Sequence, residues 1–232
     1  MNEIIPFGFD QNPSIDSPDH PNAIFFKQSK ETMIDTELYS RFIYSCENSF
    51  RKSRFYKDYK CFIMNLGIDK DQNKPAISSD MATIEMHHNL PTLKQGTIMI
   101  TEHLFNVKGY ATTYEVLYLL EEAHRNNWFD ICMLSKTEHQ MHHANPSDFI
   151  STKQCIGFPA KFIETYLDGM TLDISFKILL QLKLEEQYGE SYNPMMVKAR
   201  EDILSWQRSQ AINYQQPQMF IPMMIMQPPV FN

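Results

Sequence analysis

The sequence predicts a mostly helical α+β fold, on three observations. Apolar residues recur at helical spacing along most of the chain. Strand-like runs are few and short, at 82–88, 97–101 and 129–134. Seven glycines in 232 residues argue against the glycine-rich turns of a Rossmann-like or barrel fold.

Residues 1–31 carry Pro6, Pro13, Pro18 and Pro21 among Asp, Asn and Ser, which break any helix and predict an irregular segment. Ile34, Leu38, Phe42, Cys46 and Phe50 then recur every fourth position, a helix with one buried stripe. Phe55, Tyr59, Phe62, Ile63 and Leu66 place a second helix over 53–66, ended by Gly67. The polar run 69–80 reads as a loop. Thr112-x-x-Glu115 is a capping box that opens a helix to about His124, with Val116, Leu117, Leu119, Leu120 and Ala123 on its buried side. Ser135-x-x-Glu138 repeats that pattern. The helix it opens ends before Asn145-Pro146, because a residue preceding proline disfavours helical backbone. Pro159, Thr171 and Pro194 open three more helices, to about 169, 188 and 210. The tail 211–232, rich in Gln, Pro, Met and Phe, is expected to be disordered or to dock on a partner protein as an extended peptide. The chain divides into an irregular segment 1–31, a helical region 32–81, a core 82–146 with a helical insertion at 89–128, a helical region 147–210 and the tail.

Composition narrows the function. With 43% hydrophobic residues a substantial core forms. At a net charge of −7, any nucleic-acid contact needs locally concentrated positive charge. Cys46, Cys61, Cys132 and Cys155 form no C-x-x-C pair, which argues against a zinc ribbon, and their wide spacing predicts reduced, buried thiols. The N-terminus MNEIIPFGFD lacks the basic and apolar regions of a signal peptide, and no run of about 18 apolar residues occurs. A cytosolic protein without membrane contact is the expectation.

Chemistry concentrates in two histidine pairs. His139 and His143 are four apart and share one helix face, so two imidazoles reach one metal ion. His142 lies beside them but points elsewhere on the helix. His87 and His88 are adjacent in a strand, so one faces an ion while the other faces away. The order is a strand ending in Glu85-x-His87-His88, a nearby Pro91, a second apolar strand, then a capped helix with His139-x-x-x-His143.

In that order the chain resembles HNH endonucleases, most closely the metal site of colicin-type DNases, which implies a ββα-metal core. The resemblance implies His87, His139 and His143 as ligands of one divalent ion (Zn, Mg, Mn or Ni) and His88 as the general base activating water. It implies Glu85 as a carboxylate holding a histidine or an arginine in place. The family's central Asn falls on Asp130, which accepts hydrogen bonds but cannot donate them when ionised. The segment Cys46-Glu-Asn-Ser-Phe-Arg-Lys-Ser-Arg-Phe-Tyr-Lys-Asp-Tyr-Lys60 is similar to phage-encoded proteins that carry this core, which implies a bacteriophage source and the host cytoplasm.

Arg51, Lys52, Arg54, Lys57 and Lys60 with interleaved aromatics make either a phosphate-contacting patch or the solvated face of an amphipathic helix. Arg125 either contacts phosphate or, with His124, supplies positive charge at a helix C-terminus. The expected function is a metal-dependent HNH endonuclease that hydrolyses DNA. The alternatives are a non-catalytic HNH scaffold with a structural zinc, acting as a nucleic-acid-binding or phage-structural module, and a helical structural protein whose histidines are coincidental.

Overall fold

The computed structural model describes residues 27–30, 36–70, 83–144, 150–188 and 194–215. The expectations for 1–26, for the loop over 71–80 and for the tail beyond 215 lie outside the described residues. In order, the elements are β1 (Lys27–Ser29), α1 (Thr36–Lys52), α2 (Arg54–Lys70), β2 (Ile84–Leu90), α3 (Leu93–Lys108), β3 (Tyr110–Thr112), α4 (Thr113–Arg125), β4 (Asp130–Ser135), α5 (Lys136–Ala144), α6 (Pro159–Thr165), α7 (Leu172–Tyr188) and α8 (Pro194–Gln215). The fold is mostly helical α+β, with β1 antiparallel to β3 and β2 antiparallel to β4.

The strand expected at 97–101 is the middle of α3. Thr92-x-x-Gln95 is a capping box with Gln in place of Glu. Thr92 Oγ1 accepts from the Gln95 amide at 3.2 Å, and Gln95 Oε1 accepts from the Thr92 amide at 2.8 Å. Thr97 and Thr101, which favour strands locally, instead donate their hydroxyls to the Leu93 and Thr97 carbonyls, each at 2.8 Å. Gly109 stops the helix at φ 78°, a left-handed turn that suits glycine. Two further departures concern ends. Lys27–Ser29, inside the segment expected to be irregular, pairs with β3. α2 passes through Gly67 to Lys70, since a single glycine costs a helix only about 1 kcal/mol.

One apolar core joins α1 to α8, and Phe129 lies near its middle, fully buried. Gly96 of α3 lies against it: a Cβ there would stand 2.5 Å from Phe129 Cζ. α3 also packs on the 3₁₀ turn Leu167–Gly169, where a Cβ on Gly169 would strike the Met99 carbonyl. α7 buries Ile174, Ile178 and Leu182 and leaves Leu172, Phe176 and Leu180 exposed. The chain after α5 is tied to α7 by the buried Glu185, which accepts from Ser151 Oγ, the Thr152 amide and Thr152 Oγ1 at 2.8–3.0 Å.

Candidate metal centre

β2 and β4 form an antiparallel pair with His87 opposite Cys132 and His88 opposite Ile131. Alternation sends the two histidines to opposite faces. Glu85, His87 and Cys132 face the side covered by α5. Met86, His88 and Ile131 face the core. The Ser135/Glu138 box seats α5: Ser135 Oγ accepts from the Glu138 amide at 3.1 Å, and Glu138 Oε2 accepts from the Ser135 amide at 2.9 Å.

On the α5 side, one ligand nitrogen each from His87, His139 and His143 gathers within 4.8 Å. His139 Nδ1 donates to Glu85 Oε2 at 2.6 Å, which leaves its Nε2 turned toward His143 Nε2 at 3.0 Å. Zinc–nitrogen bonds of about 2.05 Å at tetrahedral angles put two ligands roughly 3.3 Å apart, so this pair already has nearly the required spacing. A carboxylate behind a histidine is the arrangement that fixes the ring of a metal-bound imidazole and raises its basicity. Burial, and then the neighbouring imidazoles, lower the His87 pKa to about 3. The same causes lower that of His143. Both are neutral and free to ligate. The donor set therefore suits a borderline metal such as zinc or nickel better than magnesium, which prefers oxygen. His142, expected to point away, packs edge-on against His87 with ring centroids 4.7 Å apart.

His88 has no access to this side. It is buried, and its Nε2 lies 2.8 Å from His124 Nε2. His124 Nδ1 donates to the Leu120 carbonyl at 2.6 Å, so its Nε2 accepts and His88 Nε2–H is the donor. Phe50, Phe55, Tyr59 and Phe129 pack around His124, and Tyr56 stacks on His88. Burial drives the His88 pKa well below its usual value and lowers that of His124 to about 4. A general base must reach a water or a substrate proton within about 3 Å, and His88 is sealed from both. His124 is likewise no cation at a helix end, but half of a neutral buried pair.

Asp130 does not orient His88. It lies opposite Leu90 at a bulge in β2 and accepts from Asn89 Nδ2 at 3.0 Å, while Asn89 also donates to the Ile150 carbonyl at 3.1 Å. Burial raises the Asp130 pKa to about 7. The basic residues of α1 and α2 lie near the histidine site, where the Arg51 charge acts on His88 and His143 and the Lys60 charge on Glu85. Arg54 pairs with Asp58 at 3.5 Å. Arg125 pairs with Glu121 at 3.6 Å and sits 4.7 Å over the Phe55 ring. Arg51, Lys52 and Lys57 are exposed and Lys60 half-buried.

The sequence reading missed the His88–His124 pair, although Leu117, Leu120 and His124 continue one helical stripe. Away from the site, His103 Nδ1 lies 2.7 Å from Asp168 Oδ1.

A family model described as bacteriophage G278-like virion protein matches residues 10–217. The chain belongs to that family and is of phage origin. No curated protein and no solved structure matches. This membership overturns the expectation of a DNA-hydrolysing HNH endonuclease: the family is one of virion proteins, which points to a structural, non-enzymatic role. The buried position of His88 agrees with that correction. Among the described residues, no helix is long and apolar enough to cross a membrane.

Proposed function

We propose that this chain is a structural component of the phage particle, built on a ββα-metal scaffold that has no hydrolytic chemistry, with one structural zinc ion held by His87, His139 and His143. The observation that carries the reading is the convergence of the three imidazoles, with Glu85 behind His139. The burial of His88 supports scaffold rather than catalyst, because the activating base is spent inside the core. The exposed row Leu172, Phe176 and Leu180 supports assembly, since apolar surface of that kind is usually covered by a neighbouring protein.

Metal analysis and thermal melting of the full chain test the proposal. Protein made in zinc-containing medium is expected to carry about one zinc per chain and to lose melting temperature on chelation. At free zinc a thousandfold above Kd, the ion contributes about 4 kcal/mol. His139→Ala and His143→Ala should each abolish both the bound zinc and the chelator effect. A chain that takes up no zinc, nickel or cobalt and melts identically with and without chelator overturns the metal part.

A further inference from the structure

The segment after α5 returns to β4, next to Cys132, which lies opposite His87. Ile131 and Ile156 exchange both backbone hydrogen bonds, Ile131 N–H to the Ile156 carbonyl at 3.0 Å and the reverse at 2.7 Å. In an antiparallel arrangement the next pair outward is a non-hydrogen-bonded pair, with Cα atoms about 4.5 Å apart and side chains close on one face. Here that pair is Cys132 and Cys155. Disulfides span Cα separations of about 4.4–6.8 Å, so the register alone brings the two within bonding reach. The thiols are in hydrogen-bond contact, with the Asp130 carboxyl beside Cys155. Both cysteines are reduced in this structure.

We propose that Cys132 and Cys155 are a disulfide-forming pair that closes after the protein leaves the reducing host cell. In the bond-forming step the two thiols lose two protons and two electrons to a small disulfide such as oxidised glutathione, which leaves as two thiols. The product links β4 to the segment after α5 and encloses α5 in a covalent loop. Inside the host cell the pair stays reduced, because exchange with a glutathione pool held mostly in its thiol form returns the disulfide to thiols. A particle outside the cell meets the opposite condition. The proposal rests on strand register and stands whether or not the imidazoles hold an ion.

The test is thiol counting and peptide mapping on the full-length wild-type chain, kept dilute and treated with oxidised glutathione, with chelator present throughout. Proteolysis should yield one linked pair of peptides, carrying Cys132 and Cys155, with both of those thiols lost. Cys46, buried, should remain titratable after denaturation, and the exposed Cys61 should appear on its own peptide, free or as a mixed disulfide with glutathione. The oxidised chain should melt about 5 °C or more above the reduced chain, because the link restricts the unfolded state. Cys155→Ser should abolish the link, and if that variant fails to fold, the wild-type peptide map still decides. Four remaining thiols, or a link through Cys61 between chains, overturns the proposal.

Discussion

Adjacent histidines in this protein have opposite chemistry because a strand alternates. His87 lies on the α5 side among imidazoles, while His88 is inside, donating to His124. That inner pair predicts a pH dependence. For His124 the unfolded pKa is near 6.5 and the folded pKa about 4. Between those values the unfolded chain binds the extra proton, so stability is fully present above about pH 6.5 and is lost as pH falls toward 4. The shift corresponds to about 3 kcal/mol. Urea unfolding across pH 4–7, with chelator present, should show His124→Gln less stable at neutral pH but shallower in its acid loss by up to about 1.4 kcal/mol per pH unit. Parallel curves for the two proteins would rule His124 out as an acid-labile group. At this scale the sequence was partly legible. The alternation of His87 and His88 and the shared face of His139 and His143 follow from element geometry alone. The seal over His88 does not, because Tyr56, His124 and Phe129 come from separate parts of the chain.

At the scale of elements, α5 stands apart: it buries none of its residues. It is held by its N-terminal cap, by the Glu85–His139 hydrogen bond and, in the proposed function, by a metal. Removing the cap with Ser135→Ala should cost about 1 kcal/mol and weaken zinc binding roughly fivefold, read by competition with a chromophoric chelator. Unchanged zinc affinity in that variant would mean that α5 is seated by something else. Amide exchange across 136–144 should be fast without metal and slow with it. The two strands of the site and α5 were readable because their apolar runs and caps are local. α3 was not, since Thr97 and Thr101 favour strands and only Thr92-x-x-Gln95 marked the start. The partners of Asn89 and Glu185 are long-range and leave no local trace.

Across the whole molecule, Phe129 touches His88, His124 and Phe162 and lies against Gly96, so the helices on either side of the β2/β4 pair share one interior. Unfolding should therefore be a single transition by calorimetry and circular dichroism. Phe129→Ala should lower stability by about 3–5 kcal/mol while leaving one transition. Two separable transitions in the wild type would contradict the shared core. Gly169→Ala should also destabilise, since no space for a methyl exists beside the Met99 carbonyl.

The bulge between His88 and Leu90 closes a stretch in which every residue is committed to one side or the other. Removing a single residue between 84 and 87 would carry Glu85 or His87 across the strand plane and exchange the α5 side for the core side along the rest of the run. The number of residues here matters as much as their identities. Across generations of phage this short run should tolerate exchanged letters far better than gained or lost ones.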